Sequence, residues 1–463
     1  MPQHLTLGYP QYREQVMSKS QDPSKAFAAK IQEIGARSVH IGMVDPEGEF
    51  RDKLVSAEKA ITLAGDGYPF CEVLYFWDIA ESTYRDGSFV DRPAKLFSDT
   101  VRKYPFAADA ALCLADFEGE FGRRSPRNVC LAQIEKVAEL GFDVHAAFEF
   151  EFFVFDETAE SMRAKQYRDL THFAQGNRTY SLQTSALHGD LLAGLEETMT
   201  TMGVKLDAIH TELGPGCFEA PLYHARGIKA ADDAMLFKNF ARAYFARNGK
   251  TVSFMSKLSP KLSGQSGHLH LSLRDRDGNP VFSDPSAPDG LSRTARHFLG
   301  GLLKLMPEML AMCSSTVNAY KRMVPGAWAP TASNWGVQNR TAAVRVINDQ
   351  PASTRIEFRV PSADTNPYLA LAMMLGAGFA GIRDGIEPPA GSAEDFYASK
   401  PAPQAVFPRD LFDAATRLRA SEAARDIFGS DFVESFAESR EVEHTQYQRQ
   451  VSEWEIRRYL GVV

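Results

Sequence analysis

Glu149 and Glu151 stand two residues apart in FDVHAAFEFEFFVFD, among Phe148, Phe150, Phe152 and Phe153. In an extended strand such residues share a face, so the pattern sets two carboxylates opposite a phenylalanine surface. Carboxylates beside apolar surface are costly unless they are paired or bound to cations; an edge strand with its polar face in water is the alternative. Glu212 and Glu219 bracket LGPGCF, a turn that can aim both carboxylates at one point, although a solvated loop reads the same way. His268 and His270 share one face of GHLHLSL, and Glu357 alternates with Arg355 and Arg359 in RIEFR. A lone HxH is often incidental. Five carboxylates and one histidine nevertheless make two three-ligand sets, oxygen-rich enough to suit Mg²⁺ or Mn²⁺ better than zinc.

Cations dominate the stretch from Asn318 to Tyr368: Lys321, Arg322, Arg340, Arg345, Arg355 and Arg359, with Glu357 between the last two. Guanidinium forks on short strands and tight turns suit planar anions such as carboxylates and phosphates. A solvated salt-bridge face is the competing reading. Other templates are missing: there is no GxxxxGK[ST] loop, no GxSxG and no HExxH. A GxGxxG string at Gly376, Gly378 and Gly381 lies inside a helical run, not at a strand-to-helix turn. Any ATP is therefore held without a P-loop.

Side chains so spaced need strands braced by helices, and the pattern supplies both. SKAFAAKIQEIG continues a helical lead-in over residues 1–35. SVHIGMVD and FRDKLVSA read as a hairpin around Pro46-Glu47-Gly48. CEVLYFWDIAE fits a strand or a short helix. Helices are expected over Pro126–Leu140, Leu187–Met202, Ile228–Asn248 and Arg293–Cys313, and through most of Pro408–Leu460. The longest apolar run, Leu369–Ile382, is too short to span a bilayer and reads as a buried helix capped by Asn366 with Pro367 in its first turn.

Composition narrows the partners. The chain has 463 residues, 44% of them hydrophobic, and a net charge of −8, which argues against a basic nucleic-acid surface. No membrane partner is expected. The N-terminus lacks the basic-then-apolar pattern of a secretory signal. Cys71, Cys113, Cys130, Cys217 and Cys313 form no CxxC pair and no disulfide framework, which fits a cytoplasmic location.

Taken in order, ExE, ELGPGCFE, SGHLHLSL, NAYKRMVPG, NRTAAVRV, RIEFRVP and NPYLALA resemble the glutamine synthetase family, over about residues 145 to 385. The N-terminal third is compatible but diverged. The resemblance implies an α+β fold: a small N-terminal β-grasp domain (1–115) and a larger catalytic domain (116–463) on a curved antiparallel sheet with flanking helices. It implies a homo-oligomer of two stacked hexameric rings, with active sites between subunits. ATP and Mg²⁺ (or Mn²⁺) are the implied cofactors, and glutamate and an amine the substrates. Carried over position by position, Glu151, Glu212 and Glu219 match the family's first metal site, and Glu149, His268 and Glu357 the second. Arg322 matches the arginine on the glutamate α-carboxylate, and Gly264 lies where a glutamate-contacting loop runs. Arg340 and Arg359 match arginines at the transferring phosphoryl group, whereas His270, Ser272, Arg345 and Arg355 fall at nucleotide-contacting positions.

The departures concern the amine. Glutamine synthetases carry a Glu in a VPGxEAP flap; here the flap reads VPGAWAP, with Trp328 in that place. The family's other ammonium-site acid has its nearest match at FCEVLYFWD, with Cys71 in register and Glu72 one position off. Ammonium needs anionic groups, whereas an indole can pack on the organic part of an amine. These substitutions point to a ligase for a bulky, apolar or aromatic amine, of γ-glutamylanilide type, with Phe70, Tyr75, Phe76 and Trp77 as further candidate walls. Glu72, Asp78 and Glu81 leave alkylamines or polyamines open. A non-catalytic homologue is the reading from a different class, and Ser263, where the family has Asn, bears on glutamate geometry.

Overall fold

The computed structural model describes residues 23–463 apart from 175, 177, 399 and 400. Of the lead-in expected over 1–35, residues 1–22 lie outside the described residues. The remainder is a helix, Pro23–Ile34, whose Phe27 and Ile31 are buried. The expected hairpin forms from β1 (Ser38–Val44) and β2 (Phe50–Ser56), paired Ser38 to Ser56. Its turn closes because Asp45 accepts from the amides of Glu47 and Glu49, each at 3.0 Å, while Gly48 takes φ +85°.

With β3 (Tyr68–Cys71), β4 (Asp91–Leu96), β5 (Arg102–Lys103) and β6 (Ala110–Phe117), these strands make a sheet in the order β2-β1-β6-β4-β3, with β5 beside β6. β1 runs parallel to β6 and the other pairs are antiparallel, the mixed arrangement of a β-grasp. CEVLYFWDIAE resolves into the end of β3 and a single 3₁₀ turn, Glu72–Tyr75. Phe70, Tyr75 and Phe76 do not wall an amine pocket. All three are buried, Phe70 and Tyr75 in the core of this domain, where Tyr75 packs on Phe117 and Phe121. The division expected at residue 115 falls inside β6, which continues to Phe117.

The larger unit opens with the helix Pro126–Glu139, capped by Ser125. Its sheet is built on a long strand, β7 (Asp143–Phe155), whose burial alternates as the phenylalanine spacing requires. Phe150 and Phe152 pack on Phe237 of the helix Lys229–Arg247, leaving Glu149 and Glu151 on the opposite face. β8 (His210–Thr211), β9 (Cys217–Pro221), β12 (Gly267–Arg274), β13 (Trp335–Val337), β14 (Val344–Ile347) and β15 (Arg355–Phe358) complete the order β13-β14-β15-β12-β7-β9-β8. β10 (Ala225–Arg226) and β11 (Thr251–Ser253) also pair with β7. Every pair is antiparallel except β13 with β14.

Helices back this sheet. Pro367–Asp384 starts as expected, with the Asn366 side chain accepting from Tyr368 N at 3.1 Å. The GxGxxG string serves packing, not phosphate. A Cβ on Gly381 would come within 2.1 Å of His297 O, and one on Gly378 within 2.2 Å of the Phe298 ring, so these glycines let two helices touch. The helix expected over Leu187–Met202 divides at His188 into Leu182–Leu187 and Gly189–Thr201. The tail is helical as expected, and among the described residues no helix is long and apolar enough to cross a membrane.

Candidate active site

Sheet register assembles the candidate residues. His268 pairs with Glu149 across β12 and β7, and Glu151 with Glu219 across β7 and β9. Glu219 in turn pairs with His210 on β8, His270 with Glu357 on β15, and Glu357 with Arg345 on β14. Directly paired residues share a face, and so do residues two apart, so all of these lie on the face opposite the phenylalanines.

Two ligand-like clusters result. Ligand atoms of Glu149, His270 and Glu357 lie within 4.8 Å of one another, and so do those of His210, Glu212 and Glu219. His268 belongs with the first cluster, its Nδ1 being 3.0 Å from Glu149 and 3.7 Å from Glu357. Glu151 sits beside the second, accepting from Ser266 N at 2.6 Å.

The electrostatics call for a cation. Burial pushes Glu151 up to about 7, and Glu212 and Glu149 add to the effect. Burial, then Glu149, Glu151 and Glu212, raise Glu219 as well. Such a group cannot be fully ionised without positive charge. The first cluster, around Glu357 and His268, is poised differently. Burial opposes ionisation of Glu357, but Arg359, His268 and His270 outweigh it and hold the carboxyl at about 2. Burial, with Arg359, lowers His268 to about 4, and its Nε2 is buried with no hydrogen-bond partner among the described residues. A neutral imidazole with a free buried nitrogen, beside carboxylates, fits a hard divalent ion.

The arginines divide by environment. Arg359 and Arg345 both bond Glu357, Arg345 at 3.0 Å, and each leaves Nε buried without a partner among the described residues. Arg345 also donates to Gln338 at 2.7 Å. Arg322 is 1% exposed and donates only to neutral oxygens: Val360 O and Ser266 Oγ at 2.9 Å, and Arg359 O at 3.1 Å. No carboxylate pairs with it among the described residues, and burial lowers its guanidinium to about 10. Gly264 lies against it, since an added Cβ would stand 2.6 Å from Arg322 Cγ. Arg355 donates to His270 Nδ1 at 3.3 Å, and Ser272 follows half-buried on the same face. Arg340 is exposed at the turn after β13, and the Ser263 hydroxyl donates to Leu213 O.

Trp328 does not pack into the fold. It is 59% exposed and takes φ +56°, a conformation unusual for a bulky residue and a mark of functional loops. The acids considered for a cationic amine are engaged elsewhere. Glu72 pairs with Arg92 and Glu81 with Arg51, while Asp78 accepts from Ala80 N and Ser82 N at 2.9 Å and from Gln446 at 2.7 Å. His210 escaped sequence reading, although AIHTEL places it two residues before Glu212 and hence on the same side of an extended segment. Tyr180 escaped it too; its ring lies 4.8 Å from that of His210.

Known proteins agree with this architecture. The family model "Glutamine synthetase, catalytic domain" matches residues 123–459. A glutamate–isopropylamine ligase from a Pseudomonas species is 34% identical over 444 residues, 94% of this chain and 97% of the relative. The γ-glutamylethanolamide synthetase GlnA4 of Streptomyces coelicolor is 33% identical over 362 residues, 78% of this chain and 77% of the relative. Chains named glutamine synthetase also match. A solved structure of a GmaS/ADP complex superposes with a TM-score of 0.84 at 27% identity, covering 94% of this chain and 99% of that one.

Proposed function

Because the chain belongs to the glutamine synthetase family, we propose that it is an ATP-dependent ligase joining the γ-carboxylate of glutamate to an organic amine, with a bulky, apolar or aromatic amine preferred over ammonia. The observation that carries the preference is Trp328, exposed and strained at the flap position where the family places a Glu. The engagement of Glu72, Asp78 and Glu81 supports it, since no free carboxylate among them is left to hold a cationic amine. An aromatic amine is neutral at pH 7 and needs no such group, whereas an alkylamine with a pKa of about 10 does. A small alkylamine is the second reading, favoured by the relative named glutamate–isopropylamine ligase.

A carboxylate is a poor acyl donor because its leaving group is poor. Transfer of the ATP γ-phosphoryl group to the glutamate γ-carboxylate gives an acyl phosphate and ADP. The amine nitrogen then bonds the acyl carbon as the C–O bond to phosphate breaks, and the nitrogen gives up one proton. Glu151, Glu212 and Glu219, with Glu149, His268 and Glu357, would hold two divalent ions, of which Mg²⁺ suits the oxygen-rich set. When bound, the ions neutralise charge on the moving phosphoryl group.

The protein's own groups do the placing. Arg322, a buried cation with no acidic partner among the described residues, takes the substrate α-carboxylate, and Gly264 leaves room for it. Arg359 and Arg340 address the phosphoryl oxygens. His270, Ser272, Arg345 and Arg355 line the face on which the nucleotide lies. Trp328 excludes water and offers an apolar wall to the amine. Assembly into two stacked hexameric rings, in the cytoplasm, belongs to the same reading, and light scattering on the purified chain checks the ring state.

The functional test is ATP-dependent phosphate release with glutamate, Mg²⁺ and a panel of ammonium, ethylamine, isopropylamine, putrescine, ethanolamine and aniline, with product masses checked. Release with an aromatic or bulky amine is expected. Good activity on alkyl diamines with none on any arylamine would remove the aromatic preference, and nucleotide binding without turnover would favour a non-catalytic homologue.

A further inference from the structure

Downstream of the strands, the loop following the helix Pro367–Asp384 returns to the site and is fastened there. Asn339 donates to Ser392 O at 3.0 Å and to Glu394 O at 2.9 Å, and Phe396 N donates to Thr341 Oγ1 at 3.1 Å. Asp395 then accepts from Tyr397 N at 2.9 Å and so fixes the turn that presents Tyr397. The anchors flank Arg340 in sequence, so this loop is tied to the arginine-bearing segment itself.

Tyr397 is half-buried, yet its hydroxyl is shielded from water and has no hydrogen-bond partner among the described residues. A buried hydroxyl without a partner is costly, so its persistence calls for an explanation in ligand binding. Burial raises the phenol above its ordinary value, while the charges of Arg359 and Arg322 pull it the other way, so the hydroxyl lies within electrostatic reach of both guanidinium groups. Arg322 has the complementary deficit, a buried positive charge bonded only to neutral oxygens. A cation and a donor that both lack a partner among the described residues, and that lie within electrostatic reach of each other, can be satisfied together by a single carboxylate.

We infer that the Tyr397 hydroxyl donates a hydrogen bond to the carboxylate of the bound amino-acid substrate, beside Arg322, and is a positioning residue for the acyl donor. The inference rests on the glutamate reading above. Its signature follows from the orphaned hydroxyl. Removing that oxygen takes nothing from the ligand-free protein, but it weakens the glutamate complex by one charge-assisted bond.

The test is Tyr397→Phe, read in two ways. In steady-state turnover, KM for glutamate rises about tenfold or more, while KM for ATP stays within about twofold. Separately, the ligand-free Tm is unchanged or slightly higher, whereas the upward shift of Tm by glutamate, read in Mg²⁺ and a non-hydrolysable ATP analogue, shrinks for the variant. An unchanged KM together with an unchanged glutamate shift overturns the inference. So does a fall in the ligand-free Tm that accounts for the lost activity, because the hydroxyl would then be structural. The binding arm separates the two readings: a wild-type chain that binds glutamate without turnover sinks the ligase, yet Tyr397 is still judged by the shift. A wild-type chain with no glutamate shift at all overturns both.

Discussion

Glu219→Gln should invert the order of stability between the metal-free and the metal-loaded protein. Burial, and then the charges of Glu149, Glu151 and Glu212, raise the Glu219 carboxyl far above its ordinary 4.5. At pH 7.5 the metal-free fold must keep a proton there that the unfolded chain has released. At about 1.4 kcal/mol per pH unit, and with the strain shared among four carboxylates, this costs on the order of 2–4 kcal/mol. Gln keeps the shape and removes the charge. A chain of this length changes entropy by about 1 kcal/mol per kelvin on unfolding, so the metal-free variant should melt about 2–4 °C above wild type. With Mg²⁺ at about a hundredfold over its dissociation constant, wild type gains about 2.7 kcal/mol per ion, whereas the variant, short of a ligand, gains much less and falls below it. The pH dependence has a definite sign. A raised carboxyl contributes stability that is fully present below its unfolded value of 4.5 and lost as pH rises through the folded value. The metal-free advantage of the variant should therefore shrink at pH 5. Scanning calorimetry with EDTA and with Mg²⁺, at both pH values, reads all of this. A variant that melts below wild type in EDTA, or gains as much from Mg²⁺, would refute a cation site at Glu219.

Other consequences are checked more simply. Trp328→Glu restores an acid to the flap and should raise kcat/KM for ammonium relative to the best organic amine by about tenfold; an unchanged ratio in paired kinetics would mean that Trp328 does not set acceptor choice. Gly264→Ala places a methyl 2.6 Å from Arg322 Cγ, and such overpacking typically costs about 1–3 kcal/mol; KM for glutamate should rise more than about tenfold, with KM for ATP nearly unmoved. Asp116 is buried and raised to about 7, chiefly by that burial, so its contribution is present below 3.8 and lost as pH rises through 7. Urea unfolding of Asp116→Asn should therefore show the variant gaining more on wild type at pH 8 than at pH 5.

Local periodicity made much of the site legible. Alternation alone placed Glu149 and Glu151, and His268 and His270, on common faces, and β7 and β12 keep both pairs so. What alternation cannot supply is which strand lies beside which. The pairing of Glu151 with Glu219 is set by sheet register across a long sequence separation, and that of Glu219 with His210 by the short β8–β9 pairing; His210 went unnoticed because AIHTELGPGCF reads as a turn rather than as two paired strands. The aromatic run Phe70–Trp77 misled in a physical way. Apolar residues read equally well as pocket wall or as core, and in a small domain the core claims them first; Phe70, Tyr75 and Phe76 are buried, and only Trp77 stays partly accessible, with Arg51 over its ring at 4.9 Å. Tyr397 carried no signal at all in a loop sequence. Its significance lies in a missing partner, which only coordinates reveal.

A competition assay tests the central claim most directly. The purified chain, with ATP, Mg²⁺ and glutamate, receives equimolar ammonium and aniline or isopropylamine, and the products are separated by mass. Predominance of the γ-glutamyl organic amide over glutamine is the expected result, with aniline ahead of isopropylamine. Predominance of glutamine would contradict it and return Trp328 to the role of a bystander on a glutamine synthetase flap.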